Sequence, residues 1–199
     1  MLHLRFAFAS LSTLLISSCA NGLLSGDDPG LQRDLNREHT YQSESGFSYW
    51  DNLPGDGPMR VTIDLSDQTA YFFKGSVHVG KSRVATGMRG HETPTGSFSI
   101  TEMTVDKRSN LYGRIYSASG ELLVPDADSR RDSVPAGGKF VGAEMPNWMR
   151  LTSSGIGLHA GPIPQPGHPS SHGCIRMPKN MAKIMFANAR IGTPVKIVP

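Results

Sequence analysis

The chain is 199 residues long, 38% hydrophobic and 19% charged, with a formal net charge of +3. With a leader and a linker set aside, that length serves one globular core. So small a surplus, without a dense basic run, gives no reason for a nucleic-acid partner, and past the leader no apolar stretch approaches membrane-spanning length.

Met1 to Arg5 is short and weakly basic, and Phe6 to Ile16 is an apolar, small-residue run too short for a stable spanning helix. Residues 1–18 read as a secretory signal. Its end, Ile16-Ser17-Ser18-Cys19, resembles the bacterial lipoprotein cleavage box, in which the cysteine is lipidated on sulfur and becomes the new N-terminus. Cys19 is then a membrane anchor. Ala20, rather than aspartate, follows it, which by resemblance to Gram-negative sorting favours the outer membrane. The expected location is the periplasmic side of the envelope. An ordinary signal peptide cleaved nearby, or an N-terminal anchoring helix, is the alternative.

Residues 19–57 are rich in Gly, Ser, Asp, Asn and Pro and read as a flexible tether, although the aromatic patch Phe47-Ser48-Tyr49-Trp50 has the composition to dock. The domain spans 58–199. Val61, Ile63 and Leu65 alternate with polar residues, Ser66-Asp67-Gln68 turns, and Ala70 to Phe73 continues before Lys74-Gly75 turns toward Val77 and Val79. That pattern is a β-meander. Val84 to Gly87 and Phe98 to Thr101 are further strands flanking Thr93-Pro94-Thr95-Gly96. From 102 to 146 the pattern weakens: Glu121 to Leu123 suggests a short strand edge, and Asp126 to Gly138 a long loop able to act as a lid or to be a plain insertion. Trp148 to Thr152 and Ile156 to His159 read as strands joined by Ser153-Ser154-Gly155. Pro178 suits a first helical position, Met181, Ile184 and Met185 form a core stripe, and Gly192-Thr193-Pro194 stops the helix before a last strand, Val195 to Val198.

Cys174 carries the chemistry. If Cys19 is lipidated or removed, Cys174 is the remaining thiol, with no partner for a disulfide. An ordinary thiol, with a pKa of about 8.5, is only slightly ionised at neutral pH, so a nucleophilic cysteine needs a base. His159 ends a strand before Ala160-Gly161-Pro162 turns away, which suits that role. His172, two residues from Cys174, is placed to shape the loop or touch substrate, and Gly173 lets successive amides converge on an oxyanion. A zinc site from His159, His168, His172 and Cys174 has the right ligand types, but the spacing matches no paired zinc pattern, and no metal or other cofactor is expected. An inert buried thiol would leave Ser171, His172 and Arg176 around it unexplained. His168, His39, His78 and His91 read as surface residues.

His159 with Gly161, then Ser171-His172-Gly173-Cys174-Ile175-Arg176 after a Pro-rich loop, resembles the signature of the bacterial L,D-transpeptidases of the YkuD type. Ile63 to Ser66 with Gln68 and Tyr71, Gly87, Thr93 to Phe98, Met145 to Arg150 and Gly192 to Val195 resemble family blocks in family order. Ala160 departs from the glycine many members carry there, and Arg176 replaces an asparagine seen in part of the family. The resemblance implies a mainly β fold, a β-sandwich of mixed sheets with one or two short helices. It implies that Cys174 attacks the third residue of a peptidoglycan stem tetrapeptide, releases D-alanine and passes the acyl group to an amine. His159 would be general base and acid, the Ala160 carbonyl would orient it, His172 would support, and the Gly173 amide would serve the oxyanion hole. Ser171, Arg150 and Arg176 would bind substrate, the arginines as carboxylate readers. The acceptor would be another stem, a wall-attached lipoprotein's lysine, or water, the last making a carboxypeptidase or a hydrolase of wall–lipoprotein linkages. A non-catalytic wall-binding lipoprotein is the rival class.

Overall fold

The computed structural model describes residues 41–42 and 47–199. Cys19, His39 and the signal segment lie outside the described residues. In chain order the elements are β1 (Tyr41–Gln42), β2 (Tyr49–Trp50), β3 (Met59–Asp64), β4 (Thr69–Lys74), β5 (Val77–Arg83), β6 (Gly96–Ser99), β7 (Glu102–Tyr116), β8 (Leu122–Asp128), β9 (Lys139–Arg150), β10 (Gly157–Ala160), β11 (Ile175–Met177), helix α1 (Lys179–Asn188) and β12 (Pro194–Val198). They form two sheets, ordered β1-β2-β5-β4-β3-β12-β6 and β11-β10-β9-β7-β8. Each is mixed: β12 runs parallel to β3, and β11 parallel to β10, among antiparallel pairs. The fold is the mainly β architecture expected.

The alternation in β3 has a simple cause. Met59, Val61 and Ile63 face the core while Arg60, Thr62 and Asp64 face outward, as the two-residue period of a strand requires. Phe72 from β4, Leu158 from β10, Ile175 from β11 and Val195 from β12 join the same core, and burying each such side chain contributes about 1.5–3 kcal/mol. Met181, Ala182 and Met185 of α1 close it at 0% exposure, with Ile184 packed at its margin. Pro178 sits one position earlier than expected. Its ψ of 142° is extended, so it precedes the helix, and its carbonyl accepts the first-turn bond from Ala182 N–H at 2.9 Å.

Two segments differ from the sequence reading. The expected tether is shorter, because β2 pairs with β5 and Trp50, 2% exposed, packs against Phe72 at 5.4 Å between ring centroids. Residues 47–57 therefore belong to the folded body. The Asp56 carboxylate also accepts the Ser76 N–H at 2.6 Å, pinning the β4–β5 turn. The second difference is 102–146, mostly strand: β7 pairs with both β8 and β9, leaving a tight turn at 117–121 and a loop at 129–138. Register shifts near Gly113 and a largely unburied face erase the alternation that would have revealed these strands.

Candidate active site

The parallel pairing of β10 and β11 builds the site. Leu158 stands opposite Ile175 and His159 opposite Arg176, so Gly157 lies level with Cys174, one residue before β11. Side chains alternate along a strand. Leu158, Ala160, Ile175 and Met177 enter the core, which turns His159, Cys174 and Arg176 to the other face. All three line one cavity of about 850 Å³, walled on its far side by β7 and β9.

His159 is 5% exposed and its Nδ1 lies 2.8 Å from the Ala160 carbonyl oxygen. A carbonyl only accepts, so Nδ1 carries the proton and Nε2 keeps a lone pair. Burial, with a smaller push from Arg176 and against the pull of the Ala160 bond, holds its pKa down at about 4. The imidazole is neutral at physiological pH. Burial pushes the Cys174 thiol up, opposed by the Gly157 amide, and Sγ meets the Gly155 carbonyl at 3.6 Å. The resting pair is thus neutral thiol and neutral imidazole, and thiolate forms only as the proton leaves for a base.

The cysteine loop is held at several points. Ser171, 0% exposed, donates through Oγ to the Cys174 carbonyl at 2.5 Å and accepts the Gly173 N–H at 3.1 Å. The Gly173 amide is therefore engaged within the loop, unlike the free donor expected from sequence. Among the described residues, the His172 and Cys174 amides have no such partner. Gly173 itself has φ +112°, and a Cβ there would lie 2.7 Å from Ile156 Cδ1, so only glycine fits. Its carbonyl accepts from Thr93 Oγ1 at 2.7 Å, while that oxygen accepts the Gly87 N–H at 2.9 Å.

The arginines separate. Arg150 Nε donates to Glu102 at 2.6 Å, which holds the Glu102 carboxyl below its usual range. Its Nε is thus engaged with Glu102, while the side chain still lines the cavity that Cys174 and Arg176 share. Arg176 donates to the Ser170 carbonyl at 3.2 Å and is half-buried; burial pushes its pKa down, opposed by the nearby Cys174 and Asp126. A cation desolvated in this way favours an anionic ligand. His172 stacks on Tyr112, with Asp126 3.9 Å from its Nε2, and burial dominates in lowering its pKa. His91, read from sequence as a surface residue, meets the His172 ring edge-on at 4.8 Å. His168 stays exposed in the 161–170 loop, and among the described residues no group of three His, Cys, Asp or Glu could hold a metal.

Sequence reading missed Tyr112, His91 and Trp148. Trp148, 1% exposed, lies 6.1 Å from the His159 ring and helps exclude water from it. The first two carry no local signal, since their partner His172 is distant in sequence; Thr93 was visible only as part of a tight segment.

The class that the fold and site define is a mainly β domain of two mixed sheets, with an imidazole on β10 and a thiol one residue before the parallel β11 facing one cavity. The family model for the YkuD L,D-transpeptidase catalytic domain matches residues 58–197, and the chain belongs to that family. Comparison with curated protein sequences returned no match. Among solved structures the chain is similar to an L,D-transpeptidase from Mycobacterium smegmatis, at 18% identity and TM-score 0.55 over 71% of this chain and 59% of that one. It is also similar to one from Stackebrandtia nassauensis, at 19% identity and TM-score 0.52 over 74% and 58%. A third, an L,D-transpeptidase in complex with imipenem, shares 20% identity and TM-score 0.53 over 70% and 58%. The chain thus spans less than two thirds of the length of these relatives.

Proposed function

We propose that this protein is a peptidoglycan L,D-transpeptidase acting through Cys174. The observation that carries the reading is the His159–Ala160 hydrogen bond, which leaves Nε2 as a base on the face of β10 that Cys174 shares. Sγ attacks the carbonyl carbon of the third stem residue while its proton passes to His159 Nε2. The oxyanion meets the Cys174 and His172 amides. The C–N bond to D-alanine then breaks, and the amine leaves with the proton from His159. An acceptor amine attacks the thioester, gives its proton to His159, and the thiol is restored. Arg176 is the carboxylate reader of the donor stem, and Ser171 holds the loop in place. Water as acceptor would give a carboxypeptidase, or a hydrolase where the donor is an existing wall–lipoprotein linkage. A wall-binding module without chemistry would have no use for a proton-accepting Nε2 beside a lone thiol. In this reading lipidated Cys19 holds the domain at the periplasmic side of the envelope, at the outer membrane.

The test is incubation of the full chain with disaccharide tetrapeptide, followed by mass spectrometry. D-Alanine loss through a Cys174 acyl-enzyme is the expected result, with dimer marking cross-linking and tripeptide marking hydrolysis; a lipoprotein C-terminal lysine peptide tests attachment. Imipenem should acylate the same sulfur. Cys174→Ser should lose turnover by about a thousandfold or more, since a hydroxyl has a far higher pKa. Retained turnover in Cys174→Ser would overturn the mechanism, and release of wall-linked lipoprotein without any stem acyl-enzyme would replace transpeptidation by hydrolysis.

A further inference from the structure

Tyr112 lies in β7, about 60 residues before the cysteine loop, yet its ring is face to face with His172, centroids 4.3 Å apart and planes at 17°. His91 closes on the same imidazole edge-on, at 4.8 Å and 80°. The imidazole is therefore held on one face and along an edge. Tyr112 is braced in turn: Arg130 Nη2 donates to its hydroxyl at 3.0 Å. Arg130 is fixed by a bidentate pair with Asp128, Nε to Oδ1 at 2.9 Å and Nη2 to Oδ2 at 2.6 Å. This paired geometry orients a guanidinium better than a single contact does.

The chain Asp128, Arg130, Tyr112, His172 ends two residues from the nucleophile. Between them stands Gly173, whose backbone is tied at its amide by Ser171 and at its carbonyl by Thr93. A loop pinned in this way passes a shift of the His172 ring on to Cys174, because its backbone has few other ways to yield. The stack adds to what burial alone contributes and favours one position of the imidazole over its alternatives.

We propose that Tyr112 is a positioning residue for the nucleophile: its ring, braced by Arg130, fixes the His172 imidazole and thereby sets where Cys174 Sγ stands relative to His159. This rests on the reading of Cys174 as the nucleophile. Tyr112 touches no reacting atom in this role, and its contribution lies in the stacked face rather than the hydroxyl alone.

The test compares the full chain carrying Tyr112→Phe, Tyr112→Leu or Arg130→Gln. Three quantities are read: acylation of Cys174 by stem tetrapeptide, its alkylation by iodoacetamide across pH, and the His172 titration by NMR. Tyr112→Phe keeps the face and loses one hydrogen bond, so acylation should stay within about threefold of wild type. Tyr112→Leu keeps apolar bulk without the stack and should slow acylation by about ten- to a hundredfold, the effect of a misplacement of about 1 Å. In that variant His172 should titrate at a higher pH, since water reaches a ring now shielded by Tyr112. A wild-type acylation rate in Tyr112→Leu, an unmoved His172 titration, or an equal loss in Tyr112→Phe would overturn the proposal. Should Tyr112→Leu not fold, Arg130→Gln decides, because it removes not only the hydroxyl bond that Tyr112→Phe also loses but the guanidinium over the Tyr112 ring, 5.6 Å from its centroid: a slowing greater than that of Tyr112→Phe, about three- to tenfold, sustains the proposal, and a rate no slower than that of Tyr112→Phe sinks it. If wild type forms no acyl-enzyme, the transpeptidase reading fails separately, and iodoacetamide reactivity with the His172 titration still judges the positioning role.

Discussion

Burial of His159 has two effects that point in opposite directions for the protein. The lowered pKa keeps the imidazole neutral and able to accept a proton, but it also makes the folded state sensitive to acid. The unfolded imidazole takes up a proton near its ordinary 6.5, whereas the folded one does so only near about 4. Between those values the unfolded state binds more protons, so stability is fully present above about 6.5 and is lost as pH falls toward 4. At 1.36 kcal/mol per pH unit the gap corresponds to about 3 kcal/mol. His159→Gln, which cannot titrate, should lose that share of the acid slope; urea melts at pH 7, 5.5 and 4.5 on both proteins give the difference. Equal slopes would show that His159 titrates normally. At this scale the resemblance was informative for one pair of chain neighbours, His159 with Ala160, but Ser171, expected to bind substrate, is buried and spends its hydroxyl on Gly173 and Cys174 of its own loop instead. The sequence was silent where partners are distant along the chain, since nothing near Tyr112 indicates a ring partner in the cysteine loop, and nothing near Arg150 shows that Glu102 already holds it.

The elements read well from sequence are those whose two faces differ in polarity. β3 shows alternation because one face is core and the other solvent, and α1 shows a stripe because Met181 and Met185 enter the core. β7 and β8 hide for the opposite reason, since the face they turn to the cavity is polar and Ile115 and Ala127 supply almost the whole buried signal. β2 hides because two residues make no period at all, and its pairing with β5 is non-local. Its energetic weight is nonetheless large. Trp50 is buried on Phe72, Asp51 N–H donates to the Val79 carbonyl at 2.8 Å, and Ser48 Oγ accepts the Arg83 N–H at 3.1 Å. A protein beginning at Pro58 should therefore be less stable than one beginning at Phe47 by at least the cost of Trp50→Ala, about 3–5 kcal/mol for a buried tryptophan. Guanidinium titrations of the two lengths and of the point variant measure this. Coincident midpoints would mean that β2 only decorates the sheet edge.

At the scale of the whole molecule the question is what the chain before the folded body does for a domain that we propose acts on a fixed polymer. The reading of Cys19 as a lipid anchor makes the membrane one end of a tether and the sandwich the other. Because β1 already pairs with β2 at Tyr41 and Gln42, 21 residues, 20 to 40, lie between Cys19 and the first strand, and a chain of that length can reach at most about 70 Å. On that reading a lipidated Cys19 would confine the active site to a layer beside the membrane and raise its local concentration there without altering the site itself. Cys19→Ala should accordingly leave acylation of soluble muropeptides unchanged, because no residue of the cavity is affected, while reducing activity on intact wall in cells. The protein should lose label from a fatty-acid probe and move from the membrane fraction to the soluble one, or remain as an uncleaved precursor. Persistent fatty-acid labelling of Cys19→Ala would refute the anchor, and full wall activity from an unlabelled, soluble variant would refute the confinement that the anchor is argued to provide.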